Sequence, residues 1–202
     1  MFRSPLAFVA LTLSVSSSAL ASPTPVTCDA GASKVGFTAH TSLFDAEGKF
    51  ASPKASGTVD LDDLAASRPT ITIDVNTVDT DSGARDKHLR TEDFFFVDKY
   101  PTATFVVTSV EKKEGDTYSV TGKMTIRDVT KSITVPATIT KGTTKGGDPS
   151  VRVVSKFPVK WKDYGMPWKG AFYAPEIKEI IDVHIDVVLA TKAAPAAPAP
   201  AP

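Results

Sequence analysis

The sequence predicts an all-β domain of seven or eight antiparallel strands, and three observations predict it. From Ser33 onward, apolar residues recur at every second position in run after run, the period of strands with one buried face. The positions between them are polar, which suits an antiparallel sheet wetted on one side better than a parallel sheet covered by helices on both. Turn chemistry separates the runs at Glu47-Gly48, Glu114-Gly115-Asp116 and Lys145-Gly146-Gly147-Asp148-Pro149.

The chain begins with Met1, Phe2 and Arg3, an apolar run from Pro5 to Val15, and Ala19-Leu20-Ala21. Those are the charged region, short apolar region and small-residue cleavage site of a secretory signal peptide over 1–21. The apolar run is shorter than the roughly 20 residues of a membrane-spanning helix. The expected destination is the periplasm. Residues 22–190 then suit one domain with one core, and 191–202, rich in Ala and Pro, read as a flexible tail. Cys28 is the only cysteine, so no disulfide forms within the chain. Val26-Thr27 before it is a poor match to a lipoprotein signal.

In the first strand, Val35, Phe37 and Ala39 share a face opposite Lys34, Thr38 and His40. Ile71, Ile73 and Val75 do the same over 70–78, opposite Thr72, Asp74 and Asn76. The pattern recurs at Ala103, Phe105 and Val107, at Val120, Met124 and Ile126, at Ile133, Val135, Ala137 and Ile139, and at Val151, Val153, Phe157, Val159 and Trp161. It is cleanest where Ile181, Val183, Ile185 and Val187 alternate with Asp182, His184 and Asp186. The stretch from Asp81 to Tyr100 breaks this rhythm. Leu89, Phe95 and Phe96 stand there at helical spacing, Asp81 or Ser82 is the candidate cap, and Pro101 stops continuation. A short helix across one end follows. A sandwich and a closed barrel both satisfy the periodicity.

Several blocks, in order, resemble the YceI-like family of exported barrel proteins. Ser33 to His40 is similar to the family's first strand, Glu47-Gly48-Lys49-Phe50 to the turn after it, and Ile73 to Thr80 to the strand leading into its most distinctive segment. That segment is here Arg85-Asp86-Lys87-His88-Leu89-Arg90, Asp93-Phe94-Phe95, Lys99-Tyr100-Pro101 and Thr104-Phe105, and Val120 to Thr130 resembles the central hairpin. The resemblance implies an eight-stranded antiparallel lipocalin-like β-barrel with a short helix across one mouth. It implies an interior holding an isoprenoid-like amphiphile: a polyprenyl chain, an isoprenoid quinone or a fatty amide. Eight strands enclose just enough room for side chains or one slender ligand. Where many relatives carry Arg-x-x-Phe-Gly, this chain has Lys160-Trp161-Lys162-Asp163-Tyr164-Gly165, then Met166-Pro167-Trp168, which predicts a differently shaped mouth.

The expected lining is Phe37, Ala39, Phe44, Ile73, Leu89, Phe94, Phe95, Phe105, Met124, Ile126, Trp161, Trp168 and Phe172. Each aromatic also suits simple core packing, but Ala39, Ala103, Gly122 and Ala137 share those faces, and alternating bulky and small side chains leave room. Arg85, His88, Lys160 and Lys169 are the head-group candidates. Asp86, His88, Glu92 and Asp93 cluster in sequence, with His88 and Glu92 four residues apart on one expected helical face. His40 and His184 fall on strands far apart in the chain, so no metal site is expected, and no cofactor beyond a bound isoprenoid lipid or quinone. A nucleophile or oxyanion motif does not accompany His88, so the leading reading is a carrier and not an enzyme. An enzyme acting on an apolar substrate with His88 and Asp86 as its acid/base pair is the alternative. Lysine plus arginine equal aspartate plus glutamate at 23 each, which gives nucleic acid no basic face. Peripheral contact with a membrane and a dimer both suit an exported carrier.

Overall fold

The alternation of the sequence folds into antiparallel strands, and their register shows how they close. The computed structural model describes residues 23–168 and 176–191. Its strands are β1 (Thr24–Cys28), β2 (Lys34–Thr41), β3 (Asp45–Phe50), β4 (Lys54–Val59), β5 (Arg68–Asp74), β6 (Thr102–Lys112), β7 (Thr117–Ile126), β8 (Val129–Thr143), β9 (Pro149–Lys160) and β10 (Ile177–Thr191). β1 and β2 lie end to end along one edge of β10, with Cys28 opposite Leu189 and Lys34 opposite Asp186. β3 and β4 lie end to end beyond them, with Phe50 opposite Val35 and Val59 opposite Thr24. The ten segments thus occupy eight positions, in the order β1 and β2, β3 and β4, then β5 to β10. β10 closes the ring back onto β1 and β2. The result is the eight-stranded antiparallel barrel, a closure that leaves few unpaired edges.

Inward positions fill the core as their parity requires: Val35, Ile71, Val120, Val135, Val151, Phe157, Val187 and Leu189 are all buried. One end is floored by the turn after β4. The buried Asp60 carboxylate accepts from the Asp62 and Asp63 amides, its own amide donates to Ser67 Oγ, and Leu64 packs against the core from a single 3-10 turn, Leu64–Ala66. The other end is crossed by the chain's one α-helix among the described residues, α1 (Gly83–Leu89), and the turns that follow it to Tyr100.

Five expectations need correction. The sequence reading began the strands at Ser33, but β1 precedes that point and β4 follows the first hairpin; both are short, and β4 has little apolar alternation to announce it. Glu47-Gly48 is not a turn: it lies inside β3, and the turn falls at Ser42–Phe44. Glycine is required there because the Phe37 ring of the neighbouring strand lies over it, 2.3 Å from where a Cβ would stand. The strand expected over 70–78 ends at Asp74, whose side chain caps a 3-10 turn at Val75–Thr77. The helix stops at Leu89, so Phe95 and Phe96 lie in turns, Phe96 at φ 50°, and Ser82, though in the cap position, makes no side-chain cap bond. Thr191, placed in the tail, ends β10, with its hydroxyl donating to the Pro149 carbonyl. The leader expected at 1–21 and the rest of the expected tail, from 192 onward, lie outside the described residues.

Replacing Gly48 by Ala should cost about 1–3 kcal/mol, the usual penalty of overpacking a filled site. Gly142→Ala, where an added Cβ meets nothing within 4 Å, should cost nothing measurable. Urea unfolding of both variants checks the contrast.

Candidate functional site

Beneath α1 the barrel is not filled. A cavity of about 390 Å³ opens at this mouth, within the size range of small-molecule sites. Alanines from the β2–β3 hairpin, Ala39 and Ala46, form one wall, and Ala84, His88 and Leu89 on one side of α1 form part of the roof. Phe94, Trp161, Met166 and Trp168 face them as an apolar cluster. Its rings meet at 5.8 Å between centroids for Phe94 with Trp161 and for Phe94 with Trp168, while His88 stands edge-on to Trp168 at 4.7 Å. The polar groups at the wall are few: Thr41, Thr80, Arg85 and His88. Such a surface offers dispersion and desolvation to a ligand with little hydrogen bonding.

The hollow continues downward in two smaller spaces of about 110 and 70 Å³. Phe37, Phe95, Ile126 and Ile181 belong to the walls of both the mouth cavity and the first of these, so they form the constriction between them. Ile71, Phe105 and Ile185 stand in the same way between the lower two. Phe95 is braced edge-on against Phe50 at 5.8 Å.

The roof is held from several sides. Asp86 is buried and accepts from both the amide and the hydroxyl of Thr80. Arg85 donates to the Thr80 hydroxyl and carbonyl, and Arg90 to the carbonyls of Asn76 and Val78. Arg85, Asp86 and Arg90 thus anchor the helix through the Thr80 side chain and the backbone of residues 76–80. Farther along, Arg127 takes φ 57° in the β7–β8 turn and donates to the carbonyls of Glu92 and Phe94. Its guanidinium also lies near the Phe96 and Tyr100 rings. Tyr100 donates to Asp128 at 2.9 Å, and that bond holds the Asp128 carboxyl below the usual carboxylate range.

Among the expected lining residues, Phe37, Ala39, Phe44, Leu89, Phe94, Phe95, Ile126, Trp161 and Trp168 stand around the mouth cavity. Ile73, Phe105 and Met124 line the deeper space. Of the head-group candidates, Arg85 and His88 reach the cavity, whereas Lys160 does not: it is exposed and lies 3.6 Å from Glu179. Phe172 and Lys169 lie outside the described residues. Lys162 and Trp161 belong to a 3-10 turn, not to a strand face, and the lysine lies over the indole ring. The His88 and Asp86 pair is not formed, because Asp86 turns to Thr80 and His88 Nε2 lies 2.8 Å from Asp93. Glu92 falls beyond the helix and shares no helical face with His88. The sequence reading missed Val159, Ile177 and Ile181, which β-strand parity points to, and Ala84 and Met166, for which no local pattern gives a signal.

A larger depression of about 820 Å³ lies on the outside, against β2, β3, β9 and β10. There His40 and His184, far apart in sequence, come onto adjacent strands. His40 contacts Asp45 at 2.8 Å and Asp182 at 3.6 Å, and the Asp45 hydrogen bond raises the His40 pKa above its ordinary value. This is a solvated network of paired charges, and the interior cavity is the space that fits an apolar chain. Among the described residues, no group of three or more His, Cys, Asp or Glu is placed to hold a metal ion.

Comparison with known proteins gives a consistent result. The model of the YceI-like domain matches residues 27–189. Protein YceI of Salmonella newport is 35% identical over 145 residues, 71% of this chain and 75% of that protein. Protein YceI of Salmonella arizonae is 37% identical over 127 residues, 62% of this chain and 66% of that protein. Among solved structures, Burkholderia cenocepacia BcnA superposes with a TM-score of 0.71 at 24% identity, covering 81% of this chain and 99% of BcnA. A polyisoprenoid binding domain from Saccharophagus degradans superposes at 0.65 with 16% identity, covering 84% and 99%.

Asp86→Ala should lower stability by about 1–3 kcal/mol, because it leaves two buried Thr80 donors unpaired. His88→Ala, at a side chain 40% exposed, should cost less than about 1 kcal/mol. Equilibrium denaturation of the two variants tests this ranking.

Proposed function

Because this chain belongs to the family of YceI-like domains, we propose that it is an exported, periplasmic carrier that holds an isoprenoid-like chain in the barrel, and that it does no chemistry on it. The observation that carries this reading is the cavity of about 390 Å³ walled by Ala39, Leu89, Phe94 and Trp161. The fold shared with a polyisoprenoid binding domain supports it. The head group, on this reading, rests near Arg85 and His88, polar side chains at the cavity wall. The leader at 1–21 provides for export.

The volume sets the scale of the ligand. At roughly 30 Å³ per carbon-sized group, the share a water molecule takes in the liquid, the mouth cavity holds about a dozen groups, or two to three isoprene units. At roughly 0.8 kcal/mol per methylene, those units yield about 8–12 kcal/mol gross, from which ordering costs are subtracted. Micromolar affinity corresponds to about 8 kcal/mol, so binding is reversible, as a carrier requires. A longer chain has to displace the Phe37, Phe95, Ile126 and Ile181 constriction to enter the space below.

Native mass spectrometry of protein purified without detergent should show a stoichiometric prenyl-type adduct. Prenyl alcohols of increasing length should bind more tightly up to about fifteen carbons and then level off. In Phe95→Ala the gain should continue to longer chains. Absence of any adduct together with no binding of any prenyl alcohol would sink the proposal.

A further inference from the structure

The mouth carries an apolar projection that only partly serves the cavity. At the tip of the β2–β3 hairpin, Leu43 is 79% exposed and Phe44 is 49% exposed. Phe44 also touches the cavity wall, so the projection is continuous with the lip of the opening, whereas Leu43 belongs to no wall. Ile180 is 44% exposed on β10 at the same end. Two or three such side chains in water are ordinary on a protein surface taken singly. Their grouping at the opening into an apolar cavity is not.

The backbone of the tip separates a membrane contact from an accident of exposure. Thr41 Oγ1 accepts from the amides of both Leu43 and Phe44, while the Thr41 amide and hydroxyl both donate to the Phe44 carbonyl. The Ser42 amide donates to the Glu176 carbonyl. These amides are therefore already satisfied inside the protein, which removes one cost of lowering the tip into a medium that offers no hydrogen bonds. Charges around the tip are of mixed sign: Asp45 is held by His40, Lys160 by Glu179, and Glu176 and Lys178 flank Ile177. The contact is thus apolar and not electrostatic. Two side chains are far too small an area for a specific protein interface, but they suit shallow insertion between head groups.

We infer that the Leu43-Phe44 tip is a membrane-docking wedge, which seats the barrel mouth on a phospholipid surface so that an apolar chain passes between bilayer and cavity without crossing water. This rests on the carrier reading above, whose failure is separately visible in the test. The experiment is flotation of the mature protein with phosphatidylcholine vesicles, alongside uptake of a fifteen-carbon prenyl alcohol in solution. Leu43→Glu should weaken vesicle association roughly tenfold or more while leaving uptake in solution unchanged. In Leu43→Trp, vesicles should shift the added indole emission to shorter wavelength relative to the parent protein. Adding anionic lipid or salt should alter association less than about twofold. Undiminished association of Leu43→Glu, or association that appears only on anionic vesicles and vanishes in salt, overturns the wedge. Leu43-dependent docking without any prenyl uptake leaves the wedge standing and removes the carrier.

Discussion

Closure of the sheet through β10 is the constraint on which the rest of the structure depends. This strand is paired on one side with β9 from Ile180 to Ala190 and on the other with β2 and then β1. With eight positions in the ring, the interior is only as wide as the side chains that meet in it. Whether it is hollow is therefore decided level by level, by the sizes of inward residues. At the floor, Val59, Val151, Val187 and Leu189 are buried and leave only the space of about 70 Å³. Toward the mouth, alanines on β2 and β3 face aromatic rings brought in from the roof, and the space opens.

Keeping that space open falls to groups that never enter it. A roof of apolar residues left to itself collapses onto an apolar cavity, because burial of both surfaces is favourable. Here the roof is fixed from outside by polar bonds with demanding geometry. Asp86 and Arg85 bind Thr80, Arg90 binds the carbonyls of Asn76 and Val78, and Arg127 binds those of Glu92 and Phe94. A large share of the charge in the 85–93 segment is thereby structural. His88 with Asp93 differs: the pair stands half-exposed at the rim, beside Trp168.

Parity carried most of the barrel in the sequence, because an inward side chain on a strand has no choice but the core. Val35, Ile73, Val135 and Ile185 could be placed from alternation alone. Where the reading failed, a contact between distant residues governs. Gly48 resembles turn chemistry in isolation, and only the ring of Phe37 across the hairpin explains it as a strand residue. Leu89 and Phe96 stand seven residues apart, as on one helical face, but α1 ends at Leu89 and the Phe95 amide donates to the Leu89 carbonyl across a turn and not along a helix. Lys160 was expected near the cavity, yet it ends β9 exposed beside Glu179, while Trp161 opens the 3-10 turn that follows and is buried. Arg127 and Tyr100, which pin the roof, carry no local pattern that marks them.

The position of a bound chain is the most direct measurement of the cavity's role. A crystal structure with a fifteen-carbon prenyl alcohol should show the chain between Ala39 and the rings of Phe94 and Trp161, its hydroxyl toward Arg85 and His88, and its end halted above Phe95. A chain lodged on the outer surface, or a mouth found filled by its own side chains, would contradict the account.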